Sequence, residues 1–328
     1  MTLESFRKTI LAAVYLLCIP VIIYMARLVS HRTVTVSENA LAKTVVSSGS
    51  FAVTLDPQEE PAYDVRIPLP PGLSPEDVTF ESRYLDRTLY ITLSTAQRGF
   101  YLEQSVACNG EKVDGITCLL QEDDTVGLLV QTKTLLDPAY RLESDALVIS
   151  LTAPYETAEH VIVLDPLSTG AGSDVALSLA LQLRDTLLSS PLSCRVFLTR
   201  TDANSAADEA VLSLIADSHA TRYIRLDMPE GEAALAASVS LCDGFYIREY
   251  GNVPFASDVM RALTAVENLR PDGVSAVSDD TRLSGIRIPA VSVHIEGVRS
   301  SFGEDEKLLA ELAQALCAAL QLGYAPAE

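Results

Sequence analysis

Between residues 160 and 320, short unbroken apolar runs alternate with segments whose apolar residues recur every three or four positions, and this alternation most narrows the possible folds. Val161-Ile162-Val163-Leu164 opens on His160 and closes on Asp165-Pro166, which predicts a strand buried on both faces. Ser173 then stands where a helix N-cap belongs, ahead of Val175, Leu179, Leu183 and Leu187 at four-residue spacing. The unit repeats: 195–199 predicts a strand, Ser205-x-x-Asp208 has the form of a capping box opening a helix through His219, and 223–227 predicts a third strand. Further on, 238–247 and 289–295 predict strands, and 254–269 and 304–320 predict helices. Such alternation implies an α/β domain, an open, twisted, mostly parallel sheet covered by helices on both faces. Ligands of such sheets lie outside the carboxyl ends of the strands. The polar residues expected there are Asp165 and Ser168 after the first strand, Asp227 after the third and Glu296 after the last.

A different pattern precedes this one. Residues 51–55 and 89–93 alternate, 126–130 is short and apolar, and 146–151 is rich in β-branched residues, with Pro68, Pro70, Pro71 and Gly72 as punctuation. No long helical period occurs there, and a small β-sandwich domain ending near Tyr155 is expected. Ahead of it, 30–48 is polar and reads as a spacer. Arg7 and Lys8 precede a nearly continuous apolar stretch over 10–26 that Arg27 closes. About 17 residues at 1.5 Å each just cross a thin hydrocarbon core, and no small-x-small site follows, so an uncleaved transmembrane helix is expected rather than a signal peptide. Cations flank both ends, so the positive-inside rule sets its orientation only weakly.

The 24 Lys and Arg against 44 Asp and Glu leave a net charge of -20, which repels nucleic acid and anionic lipid surfaces. Six cysteines and four histidines leave little material for thiol or metal chemistry, and no CxxC occurs. Five cysteines follow Cys18, an odd number that argues against a complete disulfide framework. Cys108 and Cys118 lie near an Asn109-Gly110 turn signal, and spacing alone leaves their pairing open.

The segments Val161-Ile162-Val163-Leu164-Asp165-Pro166, Gly170, the run from Asp174 to Asp185 and Val196-Phe197-Leu198-Thr199-Arg200 resemble the zinc N-acetylmuramoyl-L-alanine amidases, which cut peptide stems from peptidoglycan. The similarity continues through Asp243-Gly244-Phe245-Tyr246, Ile288-Pro289-Ala290-Val291, Glu296 and Glu304-Asp305-Glu306-Lys307-Leu308-Leu309, over about residues 157 to 323. More loosely, Asp86-Arg87-Thr88-Leu89-Tyr90-Ile91 and Gly99-Phe100-Tyr101 resemble the AMIN modules that precede such amidases.

The resemblance implies a zinc held by a His two residues after the Asp-Pro, a Glu at the start of the next helix and a His ending the third strand. Those positions here read Ser168, Gly172 and Asp227. A catalytic zinc needs three neutral or carboxylate ligands and one open position to bring its water to a pKa of about 7, and a hydroxyl and a glycine do not supply them. The family's catalytic Glu falls on Glu296 when the alignment is anchored on the run from Glu304, and on His294 when anchored on Pro289-Ala290-Val291. From the residues alone, Asp165 reads as a turn or capping carboxylate of the cleft, or with Asp227 and Glu296 as an oxygen site for Mg²⁺ or Ca²⁺, and Ser168 as a polar loop hydroxyl.

The resulting expectation is a membrane anchor over 1–30, a spacer over 31–48, an AMIN-like β-rich domain over 49–156 and an amidase-like α/β domain over 157–328. The resemblance places the bulk of the chain outside the cytoplasm, attached to the cell membrane by a single pass. The expected function is that of a pseudoenzyme without zinc or other cofactor, binding peptidoglycan or an envelope protein through the old cleft and not binding nucleic acid. An active peptidoglycan amidase with a rearranged site is the alternative, and a structural scaffold a third.

Overall fold

The computed structural model describes residues 36–38, 47–58, 62–95, 97–121, 125–168, 174–202, 204–229, 234–242, 250–297 and 306–324. The chain divides into two compact units, Met1–Thr35 and Val36–Glu328, and every described residue belongs to the second. The apolar run over 10–26 and Gly172 lie outside the described residues. Among the described residues no helix is long and apolar enough to cross a membrane.

Among its described residues the first half is mainly β, with a short helix at Phe100–Glu103. Its strands are β1 (Val36–Glu38), β2 (Ser47–Ala52), β3 (Thr54–Gln58), β4 (Val65–Pro68), β5 (Val78–Arg83), β6 (Thr88–Ser94), β7 (Ser105–Asn109), β8 (Val113–Gln121), β9 (Thr125–Thr132), β10 (Asp137–Leu142) and β11 (Ala146–Thr152). They form a six-stranded sheet, β1-β5-β6-β9-β8-β2, and a five-stranded sheet, β10-β11-β4-β7-β3. Alternate residues of both sheets share one core, with Phe80, Ile91, Leu93, Ile116, Leu128 and Val130 from the first and Val65, Ile67, Val106, Leu147 and Ile149 from the second. Cys108 and Cys118 are buried free thiols, and burial pushes Cys118 up to about 11, which keeps it protonated and inert. The expected spacer is not wholly irregular: β1 pairs in parallel with β5, and β2 begins at Ser47.

The second half has a six-stranded sheet of β12 (His160–Pro166), β13 (Cys194–Leu198), β14 (Arg222–Asp227), β15 (Ala236–Cys242), β16 (Arg270–Val277) and β17 (Ala290–Glu296), in the order β13-β12-β14-β17-β15-β16. The first four in that order are mutually parallel, whereas β15 runs antiparallel to β17 and carries β16 in parallel with itself. One face packs on helices α1 (Val175–Leu188), α2 (Asn252–Leu263) and α3 (Glu306–Leu322) through Ile162, Leu164, Ile224, Leu226, Val291, Val293 and Ile295. On the other, the helices Asp208–Asp217 and Thr281–Gly285 cover Val161, Val163, Phe197 and Tyr223.

Several boundaries differ from the sequence reading. Asp174, and not Ser173, caps α1, its side chain accepting from the backbone N–H of Leu177. Ser205-x-x-Asp208 does not cap: the helix there starts after Ala207 and ends at Asp217, and Ser205 Oγ accepts from the N–H of Ser168 instead. The helix expected over 254–269 runs Asn252–Leu263, while β16 and the turn Thr281–Gly285 were not anticipated.

The two halves share an apolar cluster in which Tyr84 and Leu135 of the β half join Val161, Phe197 and Leu214. Tyr84 Oη accepts from the N–H of Leu198 at 2.8 Å and donates to the same residue's carbonyl, and its ring meets Phe197 edge-on at 4.9 Å. Asp137 accepts from Arg195 Nε at 2.9 Å and Nη2 at 3.0 Å, and Asp217 accepts from Arg87 Nε at 3.0 Å.

Candidate functional site

The parallel strands β12, β14 and β17 bring their carboxyl ends together, and each expected site residue other than Gly172 can be followed there. Asp165 lies on the face opposite α1, with a side chain only 2% exposed. It accepts from Thr199 Oγ1 at 2.5 Å, from Arg282 Nη1 at 2.5 Å and from Tyr223 Oη. Arg282 also donates through Nε to Asp208 at 2.7 Å. Burial works against the Arg282 charge, yet Asp165 and Asp208 hold its pKa above the ordinary value, while burial and then Asp165 push the Tyr223 hydroxyl well above its own. The reading of Asp165 as a cleft, turn or capping carboxylate is therefore corrected: it is a buried organiser, turned inward because a cation 117 residues away meets it there.

Ser168 is half-buried beyond the end of β12. The chain on either side of 169–173 is clamped by Arg200, which is buried and donates to the carbonyls of Pro166 at 2.5 Å, Leu167 at 2.9 Å and Asp202 at 2.5 Å and to Asp174 Oδ1 at 2.8 Å. Five donors in a rigid fork make arginine the residue able to tie so many acceptors.

Asp227 ends β14 and is paired in register with His294 of β17. Its Oδ2 accepts from His294 Nδ1 at 2.8 Å, with side chains 34% and 37% exposed. Of the two residues that the resemblance left open for the catalytic glutamate position, His294 is the one that bonds Asp227. Glu296 stands two residues on, 45% exposed and 3.8 Å from Arg270 Nη2. Deeper on this face Arg225 Nε donates to Ser292 Oγ at 2.9 Å and pairs with Asp280, which caps the turn Thr281–Gly285 by accepting from the N–H of Leu283 at 2.9 Å. Burial works against the Asp280 charge, but the Arg225 bond and charge together with the backbone N–H groups of Leu283 and Arg282 outweigh it and hold that carboxyl below its ordinary range.

Asp227 is thus bonded to His294, Glu296 follows two residues further along β17, and Asp165 lies in the interior. Among the described residues no group of three His, Cys, Asp or Glu side chains is placed to hold a metal. Of the three positions at which the resemblance implies ligands, Ser168 offers a hydroxyl, Asp227 a carboxylate already bonded to His294, and Gly172 no side chain. That donor set does not fit a catalytic zinc. Arg200, Tyr223 and Arg282, which build the floor of the site, carried no sequence signal beyond the position of Arg200 after a strand.

No protein-family model matches the chain, and no curated protein matches it. Solved structures do match. The catalytic domain of CwlV, an N-acetylmuramoyl-L-alanine amidase from Bacillus (Paenibacillus) polymyxa var. colistinus, is 16% identical with a TM-score of 0.42, over 50% of this chain and 97% of that one. The N-acetylmuramoyl-L-alanine amidase AmiC2 of Nostoc punctiforme is 13% identical with a TM-score of 0.43, over 51% and 97%. The N-acetylmuramoyl-L-alanine amidase from Clostridium difficile 630 is 18% identical with a TM-score of 0.43, over 51% and 96%. The structural neighbours of this chain are N-acetylmuramoyl-L-alanine amidases.

Proposed function

We propose that this is a membrane-anchored cell-envelope protein that recognises peptidoglycan, or a protein bound to it, through an amidase-like domain that does not carry out zinc hydrolysis. The observation that supports the reading is the fate of Asp227: it stands where the resemblance implies a zinc-binding imidazole, and its carboxylate is engaged by His294. The anchor is the apolar run over 10–26, and the side of the membrane follows from the resemblance. The site end of the sheet is polar and part-exposed at Asp227, His294 and Glu296, a surface suited to hydrogen-bonding a hydrated ligand.

The test is co-sedimentation of the purified chain with insoluble peptidoglycan, together with hydrolysis in gels containing cell wall and elemental analysis of the protein. The expected result is co-sedimentation, no clearing and less than a tenth of a zinc per chain. Failure to co-sediment, or clearing with one tightly held zinc per chain, would overturn the proposal.

A further inference from the structure

Three neighbouring strands carry, side by side and in register, the residue types of a serine acyl-transfer site. Asp227 on β14 is paired with His294 on β17, and His294 with Ser238 on β15. All three side chains share one face, because Leu226, Val293, Ile295, Ala237 and Val239 point into the helical core on the other. A carboxylate only accepts hydrogen bonds, so the 2.8 Å contact with Asp227 places the ring proton on His294 Nδ1 and leaves Nε2 of the neutral ring as an acceptor. Directly opposed residues of antiparallel strands have Cβ atoms about 4.5–5.5 Å apart. Ser238 and His294 thus stand directly opposed on this face, and hydrogen bonds of this kind often tighten only when substrate binds. Two other hydroxyls of this face are engaged, Ser292 with Arg225 and Ser240 with Ser275 at 3.3 Å. Ser238 is half-buried, and its hydroxyl is not engaged by any described residue.

The geometry points to Ser238, His294 and Asp227 as a metal-free acyl-transfer site for carboxylic esters, a role that goes beyond the recognition function and does not rest on it. Ser238 Oγ attacks the acyl carbon as its proton passes to His294 Nε2. The bond from the acyl carbon to the leaving oxygen breaks, the alcohol departs with that proton, and the acyl group remains as an ester on Ser238. Water then attacks the same carbon, giving one proton to His294; the carboxylic acid is released and the proton returns to Ser238 Oγ. Asp227 is a positioning residue, holding the imidazole in the required tautomer and balancing its charge when it is protonated.

The experiment is labelling of the detergent-solubilised full chain with a fluorescent fluorophosphonate. Ser238 Oγ displaces fluoride from phosphorus, the proton leaves through His294 to solvent, and a stable phosphonyl ester remains. The expected result is one label, mapped to Ser238 by mass spectrometry, absent in S238A at an unchanged melting temperature and present at the wild-type rate in S240A. H294Q and D227N should each slow labelling by about 100-fold or more, with D227E recovering most of the rate, as a positioning carboxylate requires. An unlabelled wild-type chain that melts cooperatively, or a label that persists in S238A, would overturn the proposal.

Discussion

Replacing Arg282 by Met tests the interior of the site most directly, because the substitution keeps an unbranched apolar stem and removes the guanidinium with its charge and donors. In the native chain the Asp165 carboxylate is 2% exposed and receives one cationic and two hydroxyl donors. Without Arg282 the carboxylate stays buried with the hydroxyls alone, and breaking a buried pair from one side costs about 3–5 kcal/mol. Arg282 also loses its bonds to Asp208 and to the carbonyl of Ala206, which keeps the expectation within that range. At about 2 °C per kcal/mol for a unit of this size, the melting temperature falls by about 6–10 °C. Asp165→Asn should cost about 2–3 kcal/mol, because an amide turns a donor toward donors while Arg282 keeps Asp208. In the double variant the two losses should fall short of their sum by about 1–3 kcal/mol. The assay is urea unfolding of the chain lacking residues 1–30, followed by circular dichroism. Arg270→Met is the comparison, since the Arg270–Asp272 pair is exposed, at 61% and 39%, and such surface pairs contribute little to stability. If R282M costs no more than R270M, or the double variant is strictly additive, Asp165 is not held as a buried ion pair and the account of the site floor is wrong.

Three further outcomes follow from particular contacts. Gly127→Val should destabilise by about 1–3 kcal/mol in the same assay, because even a Cβ at Gly127 would come within 2.6 Å of the Tyr90 ring lying across it. Tyr84→Phe should cost about 1–3 kcal/mol by leaving the N–H and carbonyl of Leu198 without that partner; a loss below 0.5 kcal/mol would mean that water replaces the phenol. Burial holds the His160 pKa below its ordinary 6.5, with Arg222 acting in the same direction against Glu159. At this residue the folded state therefore binds fewer protons than the unfolded one, so the contribution of His160 to stability is fully present above pH 6.5 and is lost as pH drops from there through the folded-state pKa. His160→Asn should flatten that slope, as read from urea midpoints between pH 5 and 8.

What the sequence revealed divides along the physics of burial. Strands β12, β14 and β17 were legible because both their faces are covered and their apolar runs are unbroken. The long helices were legible from their four-residue spacing. Strand β16 was not: as the outermost strand it tolerates Pro271 and Gly273, and nearly all its residues are exposed, so no period marks it. The placement of Asp165, Asp227 and Glu296 at the carboxyl ends of their strands could be reached from the alternation alone. The direction of each side chain could not, since Asp165 turns inward only because Arg282, far along the chain, arrives to meet it. The Asp227–His294 pair was likewise invisible, depending on the register between strands separated by 62 intervening residues.

The contacts between the halves make the compositional break near residue 157 a poor guide to where the chain can be cut. β13 is the outermost strand of its sheet, and an open strand edge is a template for pairing with another chain. Tyr84 occupies a donor and an acceptor of that edge at Leu198, and Leu135 shields the apolar residues beside it. The β half is therefore a lid on the adhesive side of the α/β sheet, whatever else it binds. Severing it would expose Val161 and Phe197 together with a strand ready to add to its neighbour, and for the isolated second half self-association would replace the covalent companion that the intact chain provides.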